Sequence, residues 1–306
     1  MPSFKFDPEK DITDLSGKVI FITGGTAGLG AESVVKLAQK HSRAIYFSGR
    51  NPKSAEEVIE KVKSIPDAPR IHFVQCDLAS LQSVSAAAES FLGQSDRLDI
   101  LMCNAGIMTK VPDLTTDGYE IQFGTNHLGH ALLIKKLIPL LIQTSEQPNT
   151  DVRIVLLTSL GFIFAPRGGI KFKDLKTVQK FAVLGPFTRY GQSKLANILY
   201  ARELARRYPQ IKTLSIHPGV VATSIISGTT MANKLIIYGS SWWQMVKPEE
   251  GAYNQLWAAG GDVSNAVNGR MYEPVGVRSN KLGKTAKDDK LAEKLWDWTE
   301  NELQNH

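Results

Sequence analysis

The stretch Val19-Ile-Phe-Ile-Thr23-Gly24-Gly-Thr-Ala-Gly28-Leu-Gly30-Ala-Glu32 decides how the rest of the chain is read. An uncharged, apolar and β-branched run leads into a cluster of glycines, and a helical pattern follows. A continuous run of this kind is what a strand buried on both faces needs. Glycines let the backbone turn sharply and come close to a ligand. A helix that starts straight after such a turn offers free N–H groups and the positive end of its dipole to a phosphate. The spacing is G-x-x-x-G-x-G, not the G-x-G-x-x-G dinucleotide fingerprint. The turn gains its force from its place after the first strand of an alternating chain.

Outward from this stretch the alternation continues. Apolar runs at 18–23, 44–48, 71–75, 99–103, 152–158, 212–216 and 269–272 predict strands. Helical patterns fill 29–40, 54–63, 81–92, 118–142, 188–208, 249–259 and 286–303. Strand–helix–strand repetition predicts one α/β fold, a doubly wound parallel sheet of about seven strands with helices on both faces. In the last helix Leu291, Leu295 and Trp298 form one apolar stripe. No shift of composition marks a boundary, so 1–306 reads as a single domain.

The chain has 306 residues, and 36 Lys plus Arg against 30 Asp plus Glu give a net charge of +6. That balance, with 42% hydrophobic residues, excludes a disordered chain. The charge is spread out and permits an anionic ligand without pointing to nucleic acid. Two cysteines, Cys76 and Cys103, exclude a disulfide-stapled scaffold and read as buried, reduced side chains. The N-terminal residues carry charges throughout, and the longest apolar stretch, 132–142, is broken by Lys135, Lys136 and Pro139. No signal peptide or transmembrane segment is expected, and a cytoplasmic protein follows. Gly283-Lys284-Thr285 mimics the end of a phosphate-binding loop, but the glycine required ahead of it is Arg278. His127 and His130 stand three apart on a helix with no third ligand at metal spacing, so no metal is expected.

The second strand ends Ser48-Gly49-Arg50-Asn51. An acid at that point binds the ribose 2′-OH of NAD, whereas an Arg accommodates the 2′-phosphate of NADP. No acid is present, so NADP(H) is favoured over NAD(H), with Arg50 bonding the phosphate. Tyr190 and Lys194 open a later helix, four apart on one face. A free phenol titrates near 10, and a neighbouring ammonium favours the phenolate. The spacing therefore predicts an acid–base pair whose tyrosine is lowered by its lysine.

Together with Asn104-Ala105-Gly106, Asn126, Ser159 and Pro218-Gly219, these motifs resemble the short-chain dehydrogenase/reductase signature set over nearly the whole chain. Arg153-Ile-Val, Ser159-Leu-Gly, Ser193-Lys-Leu-Ala-Asn197, His217-Pro-Gly-Val-Val and Pro248-Glu-Glu-Gly251 look most like the retinol-dehydrogenase and WW-oxidoreductase branch, which includes fungal ketoreductase-like members. The resemblance implies a Rossmann-type domain that transfers a hydride between NADP(H) and a carbonyl or alcohol. It implies that Tyr190 exchanges the proton, Ser159 polarises the carbonyl, Lys194 supports Tyr190 and bonds the nicotinamide ribose, and Asn126 holds a water. It implies that Gly24, Thr26, Ala27, Gly28, Leu29 and Gly30 line the pyrophosphate. Arg50 and Asn51 would meet the adenosine ribose, and Asp77 and Leu78 the adenine. Asn104, Ala105 and Gly106 would hold the ribose side, and Pro218, Gly219, Val221 and Thr223 the carboxamide end. Ala27 stands where many NADP-binding members carry a basic or small polar residue, which leaves Arg50 as the main phosphate anchor.

Two segments, 161–187 and 224–246, are expected to cover the substrate. The first carries Phe162, Phe164, Phe172, Phe181 and Phe187 among lysines, and the second carries Met231, Tyr238, Trp242 and Trp243. An aromatic lining suits a bulky hydrophobic or polycyclic carbonyl. The same aromatics could instead pack the loops on the body, or touch a membrane surface through Trp242 and Trp243. A homodimer is compatible with the sequence. The alternative reading is a family member turned regulatory or scaffold protein, which loss of a catalytic residue would mark; none is lost.

Overall fold

A computed structural model describes residues 6–108, 111–221, 245–246 and 248–306. Its main sheet has eight strands: β1 (Val19–Thr23), β2 (Ala44–Gly49), β3 (Arg70–Gln75), β4 (Ile100–Cys103), β5 (Arg153–Leu157), β6 (Lys212–Ile216), β9 (Met271–Glu273) and β10 (Val277–Arg278). Two further short strands, β7 (Val220–Val221) and β8 (Met245–Val246), pair with each other in parallel. The main order is β10-β9-β6-β5-β4-β1-β2-β3. All neighbours are parallel except β9 and β10. The eighth strand exceeds the expected set because Val277–Arg278 is only two residues long and both are exposed, so it leaves no apolar run to read.

The chain winds outward from β1 in both directions, which puts the switch of strand order between β1 and β4. That crevice at the carboxyl ends of the strands is where open α/β sheets bind ligands. Alternation along β1 serves both faces. Phe21 meets Phe91 edge to face at 5.1 Å. Ile20 and Ile22 enter the opposite core. The helices are α1 (Gly28–Ala38), α2 (Pro52–Lys63), α3 (Leu81–Leu92), α4 (Gly129–Ser145), α5 (Gly185–Arg207), α6 (Tyr253–Gly260) and α7 (Asp289–Glu302). One core packs Val34, Val58 and Leu256 of α1, α2 and α6. The other packs Phe91, Leu133, Leu199 and Leu295 of α3, α4, α5 and α7.

Two helices differ from their sequence reading. The pattern at 118–142 is not one helix: a turn at Ile121–Phe123 leads into a π-turn at Gly124–Leu128 before α4 begins. Gly124 is required there, since a Cβ would stand 2.3 Å from the Thr115 methyl. The final helix buries Ala292, Leu295, Trp296 and Thr299, with Leu291 and Trp298 at the margins. Trp296 stacks on Tyr200 at 5.0 Å and sets the helix on α5.

The segment 161–187 is packed on the body through Phe162, Ile170, Leu175 and Phe187, and Phe172 lies 6.1 Å from the Trp298 ring. Phe164 remains 41% exposed. Of the second expected cover, only Met245–Val246 falls within the described residues. No described helix is long and apolar enough to cross a membrane. Both cysteines are buried and free.

Candidate active site

The turn after β1 is shaped by close approach. Gly24 has φ +67°, and a Cβ there would stand 2.9 Å from the Ala105 Cβ. A Cβ on Gly30 would fall 2.2 Å from the Gly24 carbonyl oxygen. Gly28 has φ +54° and nothing within 4 Å of where its Cβ would be, so the turn borders open space. Ala27 precedes α1 without a side-chain cap, and no acid stands in the first turn. The first N–H groups of α1 are therefore free for an anion. The glycine cradle and the uncapped helix fit the pyrophosphate of a dinucleotide.

A cavity of about 750 Å³ runs along this crevice. Gly24, Thr26, Ala27, Gly28, Leu29, Gly30, Arg50, Asp77, Leu78, Asn104, Ala105, Gly106, Tyr190, Lys194 and Pro218 line it, whereas Asn51, Asn126, Ser159 and Gly219 do not. Gly49 lies against Thr26, where a Cβ would meet the threonine methyl at 2.6 Å, so β2 delivers Arg50 to the cavity rim. Arg50 is exposed and makes no ion pair among the described residues. Asn51 caps α2 instead, accepting from the Lys53 N–H at 3.0 Å. Asp77 is engaged in its own turn with the Ala79 N–H. Thr223 lies outside the described residues, and Val221 contributes backbone to β7. Sequence reasoning missed Met108, Val111, Asp113, Ile121 and Thr125, which also line the cavity. Their only signal was position after the Asn104–Gly106 motif and ahead of Asn126.

At the far end stand Tyr190 and Lys194, with Ser159 next to Tyr190. Gly161 and Gly191 carry no Cβ where the chain segments cross: one on Gly161 would sit 3.1 Å from the Tyr190 ring, and one on Gly191 would sit 2.7 Å from the Gly161 oxygen. This brings the start of α5 against the turn after β5, so that Tyr190 meets Ser159. Ser159 Oγ accepts from the Gly161 N–H at 3.1 Å. Burial pushes the Tyr190 phenol up to about 12, and a hydrogen bond with Ser159 offsets part of that rise. This corrects the expected lowering by Lys194. The ammonium lies 5.6 Å from the ring centroid and donates to the Leu157 carbonyl at 3.1 Å. Burial lowers Lys194 itself to about 8.

Asn126 stands behind Gly106 and Lys194. Its carboxamide accepts from the Ile107 N–H at 2.7 Å and donates to the Ile107 carbonyl at 2.9 Å and the Ser193 hydroxyl at 3.0 Å. Its backbone carbonyl receives the Asn197 amide at 3.1 Å and bonds His130 Nδ1 at 3.0 Å. Asn104 donates to the Thr23 carbonyl at 2.8 Å and accepts from Gln255 at 3.1 Å. Gln255, fully buried, also donates to the Ser33 hydroxyl at 2.7 Å, joining α6 to α1 and fixing the Asn104 amide.

A short chain dehydrogenase profile matches residues 18–161. An uncharacterized oxidoreductase of Schizosaccharomyces pombe is 38% identical, over 94% of this chain and 86% of its own. The chain belongs to the short-chain dehydrogenase/reductase family. It lies in the retinol-dehydrogenase-like branch: mouse retinol dehydrogenase 12 is 31% identical over 92% of this chain and 85% of its own. The crystal structure of an uncharacterized protein from Mycobacterium paratuberculosis superposes with a TM-score of 0.74 at 27% identity, covering 98% of this chain and 97% of the other. The protein is thus an oxidoreductase with a Rossmann-type fold, of a family that binds nicotinamide cofactors.

Proposed function

We propose that the protein reduces a hydrophobic ketone or aldehyde, or oxidises the matching alcohol, with NADP(H) as cofactor. The carrying observation is that Tyr190, Lys194 and the Arg50-bearing end of β2 all line one cavity. The bound cofactor would supply or take the hydride. The chain does the rest. Gly24–Gly30 and the free N–H groups of α1 would hold the pyrophosphate, and Arg50 the 2′-phosphate. Ser159 donates a hydrogen bond to the substrate oxygen and polarises it. Tyr190, protonated at neutral pH, gives its phenolic proton to that oxygen in reduction. Lys194, held by the Leu157 carbonyl, would bond the nicotinamide ribose. A cytoplasmic setting fits these assignments.

Arg50→Ala tests the cofactor assignment. Loss of one charged hydrogen-bonding group should weaken NADPH binding by about 1–3 kcal/mol and leave NADH binding nearly unchanged. Fluorescence titration of both nucleotides reads this. Equal or tighter binding of NADH by the unmutated protein would rule out the NADP preference.

The substrate assignment rests on the apolar side of the cavity, where Met108, Val111 and Ile121 stand, together with the aromatic residues of the segment 224–246. Remote apolar contacts on a large substrate can position the carbonyl and so enter kcat as well as KM. Aromatic, polycyclic or long-chain carbonyls are expected to have much higher kcat/KM than acetone-sized ones. Trp242→Ala or Trp243→Ala should reduce turnover of the large ones more. A graded ketone series measures it, and a flat dependence on size would reject a bulky apolar substrate.

A further inference from the structure

His130 belongs to the histidine pair on the segment around α4, and no step above uses it. It is buried, with both ring nitrogens paired. Nδ1 lies 3.0 Å from the Asn126 carbonyl oxygen, and Nε2 lies 2.8 Å from the Thr23 hydroxyl. That hydroxyl also accepts the Ala105 N–H at 3.1 Å.

The two ends of this chain fix its direction. A backbone carbonyl can only accept, so Nδ1 carries the proton and donates to Asn126. Burial lowers the His130 pKa to about 4, so the ring is neutral near pH 7 and Nε2 is an acceptor. Thr23 then gives its hydroxyl proton to Nε2 at 2.8 Å in preference to the Met102 carbonyl, which lies at 3.5 Å. Its lone pair stays free for the Ala105 N–H, which can only donate. One orientation satisfies every member. A second set of bonds continues from the same carbonyl: Asn197 donates to Asn126 at 3.1 Å and to the Leu157 carbonyl at 3.0 Å, and Lys194 donates to Leu157 at 3.1 Å.

We propose that His130 is a positioning residue of this reaction. It ties the Asn104–Gly106 loop, through Ala105 and Thr23, to the Asn126 carbonyl beside Lys194. The bonds join two places that must hold register for hydride and proton to reach one carbonyl: the loop that borders the cofactor, and the lysine beside Tyr190. The π-turn at Gly124–Leu128 carries Asn126, whose carbonyl meets both His130 and Asn197. The inference rests on the reading of the cavity as a nicotinamide site.

Thr23→Val and His130→Phe break the link from opposite sides. Hydrogen exchange at the Ala105 amide is the first readout and needs no cofactor. It should accelerate in both variants: Thr23→Val removes the acceptor, and His130→Phe leaves the Thr23 hydroxyl without the bond that fixes its orientation toward the amide. NADPH titration is the second: each variant should bind about tenfold more weakly, the net worth of one buried hydrogen bond. The double variant should bind no more weakly than the worse single one, because both sever the same chain. A role in folding alone would lower the thermal midpoint, speed exchange at Ala105 no more than at the other core amides, and leave NADPH affinity at the wild-type value. That outcome, or losses that multiply in the double variant, would overturn the proposal. If His130→Phe does not fold, Thr23→Val reads the same link with the ring in place. If the unmutated protein does not bind NADPH, the cofactor reading fails, while Ala105 exchange still decides whether the chain exists.

Discussion

Tyr190→Phe should lower kcat by about three orders of magnitude and change NADPH affinity less than about twofold. The substitution keeps the ring that packs against Gly161 and deletes only the proton donor. With its phenol at about 12, Tyr190 carries its proton throughout the neutral range. Reduction therefore needs no prior protonation of this group. The pH limit should come from Lys194, which loses its charge as pH rises through about 8. kcat/KM for the cofactor, which reports the free enzyme, should be level from about pH 6 to about 7.5 and fall above about 8. Lys194→Arg, always charged, should remove that fall even if it lowers the plateau. Stopped-flow and steady-state NADPH absorbance measure both. A Tyr190→Phe variant that keeps a large part of kcat would place the acid–base role elsewhere.

The order of the main elements was legible because a parallel sheet imposes a strong code. Its central strands need apolar runs such as Ile154–Leu157, and its helices need one apolar stripe. What escaped was local geometry that leaves no periodic trace. The π-turn at Gly124–Leu128 falls inside a longer helical pattern and differs from an α-helix only in which carbonyl each N–H reaches. The edge strand β10 is too short to show alternation. The spacing of the final helix points to a stripe through Trp298, whereas Trp296 is more buried than Trp298 because Tyr200 offers it a stacking surface.

The site divides in the same way. Glycine turns and the Tyr190–Lys194 spacing are sequence-local, and these residues line one cavity. Long-range pairings are not. Nothing near Glu120 announces that Arg189 will meet it at 3.4 Å with both side chains buried. That pair sits beside the Leu175 carbonyl, which accepts the Glu120 N–H at 2.8 Å, and so anchors the segment 161–187. Gln255 and His130 are likewise invisible as supports, because a lone amide or imidazole in a helix carries no signal of what it will touch. Spacing also suggested an ammonium near the Tyr190 phenol, and spacing cannot show that burial would dominate its pKa.

The buried histidines carry the second large effect. Burial lowers His127 to about 3, and His130 and His217 to about 4. Below about 6.5 the unfolded chain takes up as many as three protons that the folded chain refuses, so stability is present above that pH and is lost as pH falls. Glu120 acts in the opposite sense. Burial raises it to about 6, so between about 6 and 4.5 the folded chain holds a proton that the unfolded chain releases. One group opposes three, and the histidines prevail. Each unbalanced proton is worth about 1.4 kcal/mol per pH unit, which makes the expected loss about 4 kcal/mol between about pH 6.5 and 5. Domains have about 5–15 kcal/mol in total, so cooperative unfolding is expected near about pH 4 to 5. Urea midpoints taken from about pH 7.5 to 5 measure the slope. His127→Phe, placed among Phe123 and Tyr200, should flatten it by about one proton, whereas Glu120→Gln should steepen it between about pH 6 and 4.5. Stability that is level from about pH 7 to 5 would mean that these rings take up protons in the folded state, and the oriented chain through His130 could not then be neutral.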